Sequence, residues 1–254
     1  MDRYYTIFLV LMSITALAVF VALYFVTAGY GKFASQKWGP AINNKLGWVL
    51  MESPVFIVMC MLWVFSERRF EPALLVMFLI FQSHYIQRSF IFPFLIKGTS
   101  KMPLSIILMG ITFNILNAIM QGGWLFYISA SDRYTSSWLY TPQFIIGTIL
   151  FFVGMSINIK SDSIVRNLRK PGDTNHYLPR GGMYNYVTSA NYFGEIVEWV
   201  GFAVLTWSYS GLVFAWWTFA NLVPRAAMIY NRYKKEFTKQ MEGKRLKRII
   251  PRIY

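Results

Sequence analysis

The chain has 254 residues, 56% of them hydrophobic and 19% aromatic, and a formal net charge of +14. Its single cysteine, Cys60, excludes a disulfide framework and a cysteine-rich metal centre. A strongly basic chain can suit nucleic acid, but this apolar content exceeds what one soluble core needs and points to a lipid bilayer.

Residues 6–29 form the first window with the roughly 20 apolar residues of a spanning helix. One arginine precedes it and no small-residue cleavage site follows, so a retained helix is expected. Residues 30–46, from Tyr30-Gly31-Lys32 to Asn43-Asn44-Lys45, read as a polar re-entrant or cytoplasmic loop. The window near 47–65 is weaker because it holds Glu52 and Pro54, and Pro54 fits the opening turn of a helix. After a short connection at 66–71, the window 73–96 carries Gln82, His84, Tyr85, Gln87 and Arg88. Windows at 104–129 and 141–159 flank a second short connection at 130–140.

The stretch from 160 to about 187 reads as the longest polar loop, with turn signals at Pro171-Gly172 and Gly181-Gly182. Asn158 and Asp162 stand at its head, and Arg166, Arg169 and Lys170 follow. Long connections of this kind are often binding loops. A weaker window at 188–207 contains Glu195 and Glu198, and the last, at 209–230, runs into a basic tail. The predicted fold class is therefore an all-α integral membrane protein, a seven-helix transmembrane bundle forming one domain over 1–254. No Gly-x-Gly-x-x-Gly follows a strand, so no Rossmann domain is expected.

Charge placement sets the orientation. With seven spans and a cytoplasmic C-terminus, 19 Lys and Arg fall on the inner side and four on the outer, leaving Arg88 and Arg225 within spans. That is the positive-inside pattern. The tail from Lys234-Lys235 to Arg248 then faces lipid headgroups, and nucleic acid is not expected as a partner.

Carboxylates near hydrocarbon are costly, need partners, and are read first as functional groups. Glu52 and Tyr85 lie about 8 and 18 Å from the cytoplasmic ends of their helices at 1.5 Å per residue, so they can meet in the inner half of a bundle. The plainer alternatives are a Glu52–Arg88 pair that only joins helices, and an interfacial tyrosine. Glu195 and Glu198 share one helix face, and Arg225 is a natural partner for one of them. Asn158 and Asp162, four residues apart, also fit a helix cap. Arg166, Arg169 and Lys170 fit ordinary inner-side charges or a phosphate-binding set. The two histidines have no neighbouring ligands, so no metal is expected.

These residues, taken together, resemble the steroid 5α-reductase family. The likeness rests on Gly154 to Asp162, Leu168-Arg169-Lys170-Pro171-Gly172, and Ser189-Ala190-Asn191-Tyr192-Phe193-Gly194-Glu195-Ile196-Val197-Glu198-Trp199. Arg225-Ala226, Arg232-Tyr233, Glu52-Ser53-Pro54 and His84-Tyr85-Ile86-Gln87-Arg88 also match. The resemblance implies NADPH-dependent reduction of the Δ4 double bond of a 3-oxo-Δ4-steroid reached from the bilayer. Glu52 and Tyr85 would polarise the 3-keto group as hydride reaches C5. Asn158, Asp162, Arg169, Asn191, Glu195, Glu198, Arg225 and Tyr233 match cofactor-binding positions. It also implies a substrate and catalytic part at 1–100, a cofactor part at 141–254, and a monomer in the bacterial inner membrane or the endoplasmic reticulum. Met51 departs from the family's Gln before the catalytic Glu, and His176 replaces a Tyr. Related enzymes act on polyprenols or trans-2-enoyl-CoA, which stand as alternative substrates. The Arg-His-Pro run of isoprenylcysteine-type methyltransferases is replaced by Thr188-Ser189-Ala190-Asn191. A transporter or lipid-binding scaffold is the non-enzymatic alternative.

Overall fold

The computed structural model describes residues 2–26, 38–98, 100–168, 176–243 and 245–254. Helix α1 (Arg3–Phe25) is capped by Asp2, whose Oδ1 accepts from Tyr4 N at 2.6 Å. A two-stranded antiparallel pair, β1 (Ala41–Asn43) with β2 (Lys101–Pro103), adds a small sheet to an otherwise helical chain. Asn43 caps α2 (Asn44–Val64) by accepting from Lys45 N at 2.9 Å. Because α2 begins at Asn44, Pro54 lies inside it and not in its opening turn. Proline there supplies no N–H for the Leu50 carbonyl.

Helix α3 (Pro72–Ile86) continues through a π-helical turn, Gln87–Ile91, into α4 (Phe92–Leu95). Helix α5 (Leu104–Gly123) ends in a second π-helical turn, Trp124–Ile128. Helix α6 (Pro142–Asn167) runs eight residues past the predicted window. Lys160, Asp162 and Arg166 therefore lie on a helix, and the cap reading of Asn158 and Asp162 does not hold. The sequence looked like loop because the segment is polar, yet Phe151, Gly154, Asn158, Ser161 and Asp162 form one buried face at helical spacing. Helices α7 (Ala190–Thr206), α8 (Tyr209–Glu236) and α9 (Thr238–Met241) complete the described helices.

Among the described residues, six helical segments are long and apolar enough to cross a membrane: α1, α2, Pro72–Leu95, Leu104–Ile128, α6 and α8. Their outward faces are greasy. On α1, Ile7, Val10, Leu11, Ile14, Leu17 and Val21 are all exposed. A surface this apolar is satisfied by hydrocarbon. The chain is a multi-pass membrane protein.

Interhelical hydrogen bonds tie the bundle. Tyr5 Oη donates to Met120 O at 2.6 Å, joining α1 to α5, and Trp216 Nε1 donates to Ser13 O at 3.3 Å, joining α8 to α1. Such bonds contribute about 0.6–2 kcal/mol each in a membrane. The tightest contact is α6 on α7, antiparallel through glycines spaced by seven. A Cβ at Gly147 would overlap Leu205 N, and one at Gly154 would overlap Glu198 N. Likewise a Cβ at Gly194 would meet Asn158 N at 2.5 Å, and one at Gly201 would overlap Phe151 N. Bare backbone on both helices permits that approach.

The connections gather at two ends. At one, Arg68 Nη1 donates to Ser129 O at 2.9 Å and Tyr134 Oη donates to Thr206 O at 2.7 Å. At the other, Lys97 Nζ donates to Asn167 Oδ1 at 2.8 Å. There the C-terminal tail runs beside 186–189, with Thr188 N on Lys247 O at 2.9 Å and Ser189 N on Arg248 O at 3.1 Å.

Candidate active site

The α6–α7 glycine contact sets the register of four polar side chains. Asn158 Nδ2 donates to Asn191 O at 3.0 Å and to Glu195 Oε2 at 3.4 Å. Asn191 Nδ2 donates to Asp162 Oδ1 at 3.0 Å. Tyr184, in a 3-10 turn before α7, donates from its phenol to Asn191 Oδ1 at 3.4 Å. Burial holds the Tyr184 phenol well above its ordinary pKa, so it remains a donor at neutral pH.

Helix α3 supplies the basic partners of this cluster. His84 Nδ1 and Glu198 Oε1 share a hydrogen bond of 2.7 Å. Arg88, in the π-helical turn, has Nη1 3.6 Å from Asp162 Oδ2 and Nη2 3.9 Å from Glu195 Oε2. Its guanidinium lies 4.6 Å from the Trp48 ring centre and 4.8 Å from that of Phe92. The extra residue of a π turn re-aims a side chain, and such turns recur at functional sites. Arg225 is the partner the sequence suggests for Glu195 or Glu198, whereas the ion pairs of these acids among the described residues are with Arg88 and His84. The ion pairs of Arg88 among the described residues are with Asp162 and Glu195.

Glu52 and Tyr85 converge on α5. Asn114 Nδ2 donates to Glu52 Oε2 at 3.2 Å and to Met51 O at 2.7 Å. One turn along, Asn117 Nδ2 donates to Tyr85 Oη at 3.0 Å. Tyr85 is 2% exposed, and its ring lies 5.8 Å from that of Trp199 and 4.9 Å from that of His84. Position 84 thus faces the acids of α7 while position 85 faces α5.

Of the expected cofactor residues, Asn158, Asp162, Asn191 and Glu195 lie in one cluster, and Glu198 pairs with His84. Arg225 is buried on α8, with its guanidinium carbon 6.0 Å from the Tyr192 ring centre. Tyr233 is buried two turns further along α8. Arg169 lies outside the described residues. Asn114, Asn117 and Arg88 stand beside these residues and are not among the site residues expected from the sequence. The signal for the first two was an amide pair at i, i+3 in an apolar window, which a search for charges passes over.

Surface depressions lie elsewhere among the described residues. One of about 440 Å³ is lined by Trp124, Ile128, Ala130, Asp132 and Arg133. Another of about 530 Å³ is lined by Leu168, Tyr177, Leu178, Arg180 and Gln240. The acids and amides converge between α3, α5, α6 and α7. No group of three or more His, Cys, Asp or Glu suited to a metal occurs among the described residues.

A family model described as 3-oxo-5-alpha-steroid 4-dehydrogenase matches residues 100–254. The chain is 37% identical over 250 residues to a steroid 5-alpha-reductase of Gossypium hirsutum, covering 97% of this chain and 96% of that protein. It is 41% identical over 233 residues to 3-oxo-5-alpha-steroid 4-dehydrogenase 1 of Mus musculus, covering 87% of each. Against the Homo sapiens protein of that name, identity is 39% over 230 residues, covering 89% of this chain and 86% of that protein.

Proposed function

Since the chain belongs to the 3-oxo-5-alpha-steroid 4-dehydrogenase family, oxidoreductases acting on a CH–CH group, we propose that it reduces the Δ4 double bond of a 3-oxo-Δ4-steroid to the 5α product with NADPH. The observation that carries this reading is the convergence of Glu52 and Tyr85 on one face of α5, beside the acid and amide cluster of α6 and α7.

The cluster fits a ligand rich in hydroxyl, amide and phosphate groups. Asp162 Oδ2, Glu198 Oε2, Ser189 Oγ and Arg166 Nη1 are buried with no hydrogen-bond partner among the described residues. Buried polar atoms in that state cost about 1–3 kcal/mol each, and a bound dinucleotide would satisfy them. Asn158, Asp162, Asn191, Glu195 and Glu198 would hold its polar groups, with Arg169, Arg225 and Tyr233 completing the set. When bound, a reduced nicotinamide would supply the hydride that C5 receives.

The chain's own residues would manage charge. As C5 is saturated, the electron pair of the double bond shifts toward the 3-keto oxygen. Tyr85 and protonated Glu52 would donate to that oxygen, and one such donor is worth roughly 3 kcal/mol. A proton at C4 then completes the ketone. In this reading residues 1–100 carry substrate and catalysis and 141–254 carry the cofactor, within one monomeric domain. Helix α7, 17 residues and so about 26 Å long, would make the seventh crossing, since its ends reach the two opposite ends of the bundle. The C-terminus would be cytoplasmic, in the bacterial inner membrane or the endoplasmic reticulum.

The test is turnover by detergent-purified protein, followed by loss of reduced-nicotinamide absorbance, with a 3-oxo-Δ4-steroid, a long-chain enoyl-CoA and a polyprenol compared. Steroid-dependent oxidation giving a 5α product is expected. Activity on another substrate alone would keep the reductase and overturn the steroid.

A further inference from the structure

Amide side chains look alike from either end, but a backbone carbonyl beside one fixes which end is nitrogen. Two such carbonyls settle the amides around Glu52 and Tyr85. Ser210 O lies 3.0 Å from Gln121 Nε2, so the nitrogen of Gln121 must face it. The second hydrogen of that nitrogen points to Asn117 Oδ1 at 3.4 Å, which turns Asn117 Nδ2 to the Tyr85 phenol oxygen at 3.0 Å. Met51 O, 2.7 Å from Asn114 Nδ2, takes one hydrogen of that amide, and the other reaches Glu52 Oε2 at 3.2 Å. Asn114, Asn117 and Gln121 are all buried.

The consequence concerns two protons. An oxygen that accepts an amide N–H directs its own proton away from that amide. The Tyr85 oxygen accepts from Asn117, so its O–H is directed elsewhere. Glu52 Oε2 is an acceptor, so the acid proton of Glu52 belongs on Oε1.

We propose that Asn114 and Asn117 are positioning residues for the reduction, whose amides leave the Glu52 Oε1 proton and the Tyr85 phenol proton as the two that meet the carbonyl oxygen of the substrate. The proposal rests on the reading of Glu52 and Tyr85 as the keto-binding pair. It adds a reason for the buried polar residues on α5. The Met51 backbone carbonyl anchors Asn114, while the Met51 side chain packs with Met102, Ile106 and Ile107.

A double-mutant cycle tests it, with kcat on a 3-oxo-Δ4-steroid and cofactor affinity measured for each variant. Asn117→Leu is expected to lower kcat about tenfold, the scale of one hydrogen bond, with cofactor affinity unchanged. In the Tyr85→Phe background, where no phenol proton remains to be aimed, the same change is expected to lower kcat less than about twofold further. Equal losses in both backgrounds would mean a structural role and overturn the proposal. Full-speed Asn117→Leu beside a slow Tyr85→Phe would overturn the positioning role alone. Wild-type turnover by Tyr85→Phe would instead remove the keto-binding reading beneath it. If Asn117→Leu does not fold, Asn117→Ser runs the same cycle, because serine is too short to reach the phenol. Asn114→Leu with Glu52→Gln gives an independent second cycle with the same expected pattern.

Discussion

Glu198 of α7 and His84 of α3 meet at 2.7 Å, the carboxylate fully buried and the imidazole nearly so, one residue before Tyr85. The pair fixes where α3 stands against α7, and therefore where Tyr85 stands against the Asn158–Asn191 cluster. Removing one member of a buried pair leaves the other uncompensated, at roughly 3–5 kcal/mol. Glu198→Ala is expected to lower the thermal unfolding midpoint of ligand-free protein in detergent sharply. Glu198→Gln, which keeps an acceptor for the imidazole, is expected to lower it less. Equal midpoints for both variants and wild type would show that the pair does not hold the helices.

Glu52→Gln and Tyr85→Phe test the polarising pair. If one donor to a developing enolate is worth roughly 3 kcal/mol, each variant should lose about a hundredfold in kcat. Both should bind reduced cofactor as wild type does, since neither side chain belongs to the Asn158–Asn191 cluster. Wild-type turnover in both would remove them from the chemistry.

How far the sequence discloses this arrangement depends on the residue. The apolar windows locate the helices well, because length and hydropathy decide a membrane span. The acids of α7 and the His84-Tyr85 pair stand out for the same reason: polar groups are conspicuous in hydrocarbon. Where α6 ends is hidden, since Lys160, Asp162 and Arg166 look like loop until α7 supplies the partner for their buried side. Pro54 misled the start of α2, because a proline is tolerated inside this helix. Asn114 and Asn117 are uncharged and easily passed over, and their part emerges only from which oxygens they face.

Tyr184 makes a pH-dependent case whose sign can be worked out. Burial raises its folded-state pKa above the unfolded value of about 10. The stability tied to the protonated phenol is therefore fully present below about pH 10 and is lost as pH climbs toward the folded value. Its hydrogen bond to Asn191 should persist throughout the neutral range. Tyr184→Phe is expected to weaken cofactor binding by one uniform factor, about twofold to tenfold, from about pH 6 to pH 9. A factor that changed with pH over that range would show that the phenol ionises there.

Arg169 bears on the choice between phosphorylated and unphosphorylated cofactor. As a guanidinium assigned to the adenosine end, it would pair with a 2′-phosphate through two parallel hydrogen bonds. Arg169→Ala should then weaken NADPH far more than NADH in a direct binding titration. Arg169→Lys should recover only part of the loss, since an ammonium lacks the planar fork. Equal losses for the two cofactors would separate Arg169 from the 2′-phosphate.

The glycines between α6 and α7 provide the sharpest contrast between positions of the same residue type. At Gly154 a methyl group would run into the backbone of Glu198 and the carbonyl of Gly194, and backbone cannot rotate aside. Gly154→Ala should push the helices apart, lower the unfolding midpoint and loosen the Asn158, Asp162 and Asn191 contacts that α6 and α7 share. Cofactor affinity should fall with stability, and Gly154→Val should abolish both. At Gly123 on α5 the added methyl would meet only the Tyr5 ring at 3.9 Å, an ordinary contact. Gly123→Ala should leave binding intact and add up to about 1 kcal/mol, the helix propensity difference between the two residues. Similar behaviour at both positions would mean that backbone contact between α6 and α7 does not set the Asn158, Asp162 and Asn191 cluster.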